Sequence, residues 1–388
     1  MRREQSIERK AGYKVPFGTV SITREARRLI DQALDTRFVT RGKYVEEFEK
    51  KFAALFGVKE AVAVSSGTDA DALSCAVLYD YGAKRSDEVI VPALSFVATG
   101  NAVFQAGLTP VFVDVRRETL NIDVEKIERA ITSKTKGIMP VHLMGKPADI
   151  DVILELARKH KLKVIEDAAE AHGAEYKGRK VGSIGDMAAF SLYAAHIVTT
   201  IEGGITITND PEIAAVLRSL RNHGIVGKFR FERIGFSAKM NEIEAAVGIG
   251  NIAIFHEILD KRRRNLLYLS DHFKKFEEFF YFTQEEEGEK IGPHAFGILL
   301  KENVPFTKED MTAFFDEKGV DSRNLFYSMP TQCPSYGFLG HKIGDFPEAE
   351  YCSDHGFHIG IHQDIETDQL DYVGDITESF LKSKGISI

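Results

Sequence analysis

The sequence predicts an α/β fold, a large and mostly parallel sheet with helices on both faces, followed by a smaller C-terminal α+β domain. Three observations predict it. Between about residues 60 and 210, short apolar runs alternate with longer amphipathic stretches, the pattern of strands crossed over by helices. The alternation then fades, and a helical pattern over 241–276 leads into a segment rich in Phe and Glu. At 388 residues, with 44% apolar and 28% charged side chains, the chain can bury one large core and one smaller one. The division is placed inside the long helical pattern, giving a large domain over 1–250, N-terminal segment included, and a small one over 251–388.

In chain order, the apolar runs at 60–64, 88–91, 111–115, 137–141, 163–165, 187–192 and 205–208 read as strands, because Val, Ile and Ala dominate them and strands covered on both faces read as nearly continuous apolar runs. The stretches 69–78, 123–131 and 149–159 carry apolar residues at helical spacing and read as the crossovers. In such a sheet ligands gather at the carboxyl ends of the strands. The residues that follow each run are therefore the first candidates: Ser65-Ser66-Gly67-Thr68, Pro92-Ala93-Leu94-Ser95-Phe96, His142, Asp167, and the stretch 191–196.

A net charge of −8 argues against a nucleic-acid partner, which needs clustered Lys and Arg. The one basic run, Lys261-Arg262-Arg263-Arg264, is expected to be the solvated face of a helix. Cys75, Cys333 and Cys352 fit neither a zinc site nor a disulfide framework, so no metal and a reducing compartment are expected. Met1-Arg2-Arg3-Glu4-Gln5 opens on charge, and no segment offers the ~18 apolar residues needed to span a bilayer. These features predict a cytoplasmic protein without a membrane partner.

Ser66-Gly67-Thr68 falls between a strand and a helix, where it serves either as a helix cap or as a cradle of free N–H groups for a phosphate. Asp167 ends the run Val164-Ile165-Glu166-Asp167, where an unpaired carboxylate is costly to bury. It either caps the next helix or meets a cation, and a protonated pyridine nitrogen is one such cation.

Taken in order, Ser66-Gly67-Thr68, Pro92 to Phe96, Glu166-Asp167-Ala168-Ala169-Glu170-Ala171-His172-Gly173, Gly182-Ser183-Ile184-Gly185-Asp186, Phe190-Ser191-Leu192 and Glu202-Gly203-Gly204 resemble the DegT/DnrJ/EryC1/StrS family of sugar aminotransferases. The resemblance implies the aspartate-aminotransferase-like fold type I and the cofactors pyridoxal 5'-phosphate (PLP) and pyridoxamine 5'-phosphate (PMP). It implies that Gly67, Thr68 and Ser191 hold the cofactor phosphate, Phe96 stacks on the ring, Asp167 pairs with the pyridine nitrogen and Glu170 stands near the ring hydroxyl. Arg323 and Tyr327 fall in a stretch that meets substrate. It also implies L-glutamate as amino donor, a nucleotide-linked 4-keto sugar as substrate, and a homodimer with shared active sites.

The sequence departs from the family at two places. Five residues before Glu202-Gly203-Gly204 the aminotransferases carry the lysine that binds PLP covalently; here that position is His196, and no lysine occurs between Lys180 and Lys228. A lone histidine in an apolar stretch is ordinarily structural, but within this motif it resembles the lysine-lacking branch of PMP-dependent sugar 3-dehydratases, of which GDP-4-keto-6-deoxymannose 3-dehydratase is the type. Gly360-Ile361-His362-Gln363 is a second, shorter match to that branch. Three scattered cysteines cannot supply an iron–sulfur cluster, which disfavours the cluster-dependent relatives. The second departure is Gly235-Phe236-Ser237-Ala238-Lys239, with Ser237, a candidate cofactor-binding residue, where the family has an Asn that reaches the neighbouring subunit's phosphate, a contact Ser237 must make differently or not at all.

The expected reaction is loss of the C3 hydroxyl from a nucleotide-linked 4-keto-6-deoxy sugar, with His196 as the base, since a neutral imidazole suits proton transfer near pH 7. The alternatives are a sugar aminotransferase, natural or carrying an engineered Lys-to-His change, and a catalytically silent cofactor-binding regulator.

Overall fold

The computed structural model describes residues 12–387; the charged N-terminal stretch read above lies outside the described residues. Seven strands form the main sheet: β1 (Glu60–Val64), β2 (Glu88–Pro92), β3 (Thr109–Val113), β4 (Thr135–Ile138), β5 (Lys163–Asp167), β6 (Met187–Ser191) and β7 (Gly204–Thr208). Their order is β1-β7-β6-β5-β4-β2-β3. Neighbours are parallel except where β7 runs antiparallel to β1 and β6.

Successive residues of one strand feed opposite faces. Val62 and Val64 enter a core with Leu73 and Leu217, while Ala61 and Ala63 enter another with Phe48 and Phe52. Helices α1 (Arg24–Thr36), α2 (Lys43–Phe56), α3 (Gly67–Val77), α4 (Ala98–Gln105), α5 (Val124–Ala130), α6 (Ile150–His160) and α7 (Pro211–Leu220) supply the covering layers.

Two strands begin and end earlier than expected. β3 extends back through Pro110, which an edge strand tolerates because no ladder partner needs the missing N–H. β4 stops at Ile138 because Pro140 cannot donate to the ladder; the Pro140 carbonyl instead accepts the Asp167 N–H at 2.9 Å.

The expected helix over 241–276 is broken. Asn241 caps α8 (Glu242–Ala253) in a capping box with Glu244, Ile254 leaves helical geometry at φ −112° and ψ 12°, and α9 (Phe255–Phe273) follows. On α9, Phe255, Ile258, Leu259, Arg262, Leu266, Leu269 and Phe273 are all buried, a three-and-four spacing that forms one stripe. The basic run is therefore not simply a solvated face: Arg262 is 1% exposed, and Arg263 binds Glu285 and the Ile291 carbonyl.

The smaller domain is built on a four-stranded antiparallel sheet ordered Phe280–Phe282, Phe296–Leu300, Gly356–Ile359, Ser322–Asn324. Its core is rich in Phe, including Phe273, Phe276, Phe296, Phe315, Phe357 and Phe380. Val15 lies in this core, where it pairs with Val320. Val15 is fully buried there.

Candidate active site

The candidate residues converge at the carboxyl ends of β1, β2, β5 and β6. At the end of β1, Ser66 caps α3 with its hydroxyl accepting the Asp69 N–H at 3.0 Å. Gly67 opens the helix because β6 leaves no room for a side chain: a Cβ there would lie 2.8 Å from the Ser191 Cβ and 3.1 Å from its Cα. Gly67 and Ser191 are thus in contact, Thr68 follows on the same turn, and the first amides of this 11-residue helix have no helical acceptor. Such an end attracts a phosphate.

Asp167 ends β5, 4% exposed. Its carboxylate accepts the Thr99 hydroxyl at 2.8 Å and the Ala169 N–H at 3.2 Å. No ion pair reaches it among the described residues, and burial pushes its pKa above the ordinary carboxylate range. A buried carboxylate with hydrogen bonds but no cation fits a protonated ring nitrogen. The neighbouring Glu166 is also buried but differently satisfied. Burial alone would raise its pKa, yet His142 at 3.1 Å and the Gly182 and Gly185 N–H groups hold it below the usual value. His142, a candidate by position, is consumed by this role and by accepting the Ala148 N–H at 3.0 Å.

Glu170 accepts the Met144 N–H at 2.7 Å through Oε2, and burial lifts its pKa to about 8. Phe96 is 58% exposed just beyond β2, its ring 5.7 Å from that of Phe326.

His196 lies in the loop between β6 and β7, its N–H donating to the Tyr193 carbonyl at 3.0 Å. The His172 ring stacks beside it at 5.5 Å and 14°, and the His294 ring lies 4.9 Å away at 41°. His172 is locked as a neutral tautomer: Nδ1 accepts the Val198 N–H at 3.2 Å and Nε2 donates to the Ser191 carbonyl at 2.9 Å. Burial drives its pKa to about 3. Burial, His294, His172 and Arg262 together hold His196 well below the ordinary imidazole range, so it stands neutral near pH 7.

Arg323 and Tyr327 are exposed on the edge of the second sheet and the loop beyond it. An antiparallel bridge from Leu94 to Ser328 brings that loop to the Phe96 segment, and Arg323 stacks on Phe17 at 4.8 Å. Ser237 is exposed beside the β1–α3 turn, one residue before Ala238, whose carbonyl accepts the Ser65 N–H at 3.2 Å. Its hydroxyl accepts from Lys239 Nζ at 3.2 Å.

Three residues escaped the sequence reading. Thr99 and His294 gave no local signal, because only the folded chain brings them to Asp167 and His196. Arg262 did give one, its place on the apolar stripe of α9.

Residues 20–378 match the DegT/DnrJ/EryC1/StrS aminotransferase family. The chain is 38% identical to GDP-perosamine synthase of Caulobacter vibrioides, covering 89% of this chain and 93% of that one. It is 32% identical to GDP-4-keto-6-deoxy-D-mannose 3-dehydratase of Yersinia pseudotuberculosis, covering 93% and 98%. Among solved structures, E. coli GDP-4-keto-6-deoxy-D-mannose-3-dehydratase with bound hydrated PLP superposes with a TM-score of 0.85 at 28% identity, over 94% of this chain and 99% of that one.

Proposed function

The chain belongs to the DegT/DnrJ/EryC1/StrS aminotransferase family, and from that premise we propose that it is a PMP-dependent 3-dehydratase of a nucleotide-linked 4-keto-6-deoxy sugar. The observation that carries this reading is the imidazole of His196 where the aminotransferases place a lysine, packed between His172 and His294 with no lysine between Lys180 and Lys228.

PMP, when bound, supplies an amine that condenses with the sugar ketone and an electron-poor ring that accepts electrons. Gly67, Thr68 and Ser191 would hold its phosphate, with Ser237 beside them; Asp167 would keep the ring nitrogen protonated, Phe96 would cover the ring face, and Glu170 would stand beside the ring hydroxyl. Arg323 and Tyr327 meet the sugar nucleotide. His196 would be the group that moves the proton at the cofactor's C4′ carbon, the transfer that would allow the sugar's C3 hydroxyl to depart. Replacing that hydroxyl by hydrogen is a two-electron reduction. It is balanced by oxidation of one L-glutamate to 2-oxoglutarate and ammonia.

A second reading has its own support. The 38% identity to GDP-perosamine synthase favours amino transfer to C4 of the same kind of sugar. Incubating the protein with PLP, L-glutamate and a GDP-linked 4-keto-6-deoxyhexose separates the two. A sugar that has lost one oxygen and gained no nitrogen supports dehydration, and an amino sugar overturns it.

We place the division between the domains at residue 250, beside the helix break at Ile254. We also propose a cytoplasmic homodimer whose two copies complete each other's sites. Cys75, Cys333 and Cys352 are unpaired, no helix among the described residues is long and apolar enough to cross a membrane, and Phe229, Phe231 and Ile234 are 60–93% exposed close to Ser237 in the chain, an apolar set that a second copy would cover. A monomer in sedimentation equilibrium would overturn the shared-site part.

A further inference from the structure

Asp167 is fixed at both backbone and side chain. Its N–H donates to the Pro140 carbonyl at 2.9 Å, and its own carbonyl accepts the His142 N–H at 3.0 Å. Oδ1 accepts the Ala169 N–H at 3.2 Å and Oδ2 the Thr99 hydroxyl at 2.8 Å. The hydrogen bonding does not stop at Thr99: Ser95 Oγ lies 2.9 Å from Thr99 Oγ1, and both residues are buried. A hydroxyl carries one proton. With the Thr99 proton on Asp167, the Ser95 proton goes to Thr99, and the chain of donors ends on the carboxylate.

Local helix formation does not account for these hydroxyls. Helix α4, which carries Thr99, has no side-chain cap, and its first turn closes through the Thr99 N–H on the Phe96 carbonyl at 3.2 Å. The turn from β2 to α4 is instead pinned by the second domain. The Met329 N–H donates to the Ala93 carbonyl at 2.8 Å, and the Tyr336 hydroxyl lies 3.2 Å from the Val97 carbonyl and 2.8 Å from Asn101 Oδ1. Gly100 makes room for that hydroxyl, which a Cβ would meet at 2.6 Å. We propose that Ser95 and Thr99 are positioning residues, a two-hydroxyl relay that aims the Asp167 carboxylate at the cofactor's ring nitrogen and keeps their shared proton on that nitrogen.

This inference rests on the assignment of Asp167 to the ring nitrogen. A carboxylate and a pyridinium buried together have a neutral alternative, in which the proton sits on the carboxylate, and a low dielectric favours it. Hydrogen bonds donated to the charged carboxylate oppose that transfer. Thr99 donates one, and Ser95 strengthens it, because successive donors polarise one another by roughly 10–30% per bond. Each carboxylate oxygen has two acceptor sites and spends one here, so Asp167 keeps room for the ring N–H. Two titratable groups act on Asp167 through space. His142 favours its charge, and Asp71 of α3 is a buried carboxyl that burial and Asp167 push well above the ordinary range, so it stands neutral.

The test has a cofactor-free arm and a cofactor arm. In apo-protein labelled with carboxyl-¹³C aspartate, the Asp167 resonance is identified by its loss in Asp167→Asn. Its titration midpoint is expected to rise by about one to two pH units in Thr99→Val, the scale of one hydrogen bond lost to a charged group. Ser95→Ala, which does not touch Asp167, should raise it by a fraction of that, and Thr99→Ser, which keeps the hydroxyl, should leave it in place. In the second arm, PLP labelled with ¹⁵N in the ring should show a protonated nitrogen when bound to the wild type. Ser95→Ala and Thr99→Val should move that resonance toward neutral pyridine, Thr99→Val further. If Thr99→Val does not fold, Ser95→Ala and Thr99→Ser decide alone. A Ser95→Ala midpoint and ring resonance equal to those of the wild type overturn the relay, as does a Thr99→Ser midpoint displaced as far as that of Thr99→Val. An unprotonated ring nitrogen in the wild type overturns the assignment of Asp167 and the proposal with it, whereas unchanged apo midpoints overturn the proposal alone.

Discussion

Replacing Gly67 with alanine tests how closely α3 and β6 must approach for the site to exist. The new Cβ would meet the Ser191 Cβ at 2.8 Å, and ordinary contact distances of 3.4–4 Å demand a displacement of about 0.6–1.2 Å. The opposing atoms include the Ser191 Cα, so rotating a side chain does not relieve the clash and the helix end must move. Overpacking of this kind costs about 1–3 kcal/mol, offset by ~0.4–1 kcal/mol because alanine restricts the unfolded chain. The Tm is therefore expected to fall by a few degrees at most.

Cofactor affinity should suffer more. Amides moved by ~1 Å lose one or two hydrogen bonds to a charged group, each worth about 1.5–3 kcal/mol, which corresponds to roughly ten- to a hundred-fold or more in Kd. The chain has no tryptophan, so titration calorimetry of the apo-protein with PLP is the suitable assay. Adding Ser191→Gly removes the opposing Cβ and should recover part of the lost Tm, the 3.1 Å approach to the Ser191 Cα remaining. Unchanged PLP affinity and Tm in Gly67→Ala would refute the idea that this contact builds the phosphate cradle.

Other perturbations follow from the same geometry. Thr99→Val removes the hydroxyl that binds Asp167 and leaves a buried carboxylate oxygen short of a partner, so chemical denaturation should show a loss of about 1–3 kcal/mol. Glu170→Gln should flatten the pH dependence of stability. The folded pKa of about 8 lies above the ordinary carboxylate value of 4.5, so the native state keeps a proton that the unfolded chain releases, and wild-type stability declines as pH rises from about 4.5 to 8 while the stability of the variant, measured by urea unfolding across that range, does not. Arg262→Met removes a positive charge that depresses His172, His196 and His294, and imidazole NMR midpoints of all three should move upward. Midpoints left in place would mean that burial alone sets them.

The parts of this protein that follow from periodicity were legible in the sequence. Val62 and Ala63 point to opposite cores because strand residues alternate, and that requirement leaves a run of apolar residues visible to inspection. Asp167 was legible because a carboxylate at the end of a buried run needs a reason to be there. Strand ends were less so, since Pro110 and Pro140 act through whether a neighbouring strand needs their N–H, which depends on sheet order. The polar groups around His196 were hidden for a related reason. Arg262 sits in a run of four basic residues that looks solvated, and only its register on α9 betrays it. His294 follows Gly292-Pro293 with no periodic context, and it reaches His196 from almost a hundred residues away.

The central claim is that an imidazole at position 196, in place of a primary amine, directs the chemistry to C3. Comparing the products of wild type and His196→Lys from the same nucleotide-linked 4-keto-6-deoxy sugar, PLP and L-glutamate measures this directly. Wild type should yield a 3-deoxy sugar free of nitrogen, with ammonia and 2-oxoglutarate released in equal amounts, and the lysine variant should divert the flux to a 4-amino sugar that retains its C3 oxygen. An amino sugar as the main product of the wild type, or the same product mixture from both proteins, would contradict the account.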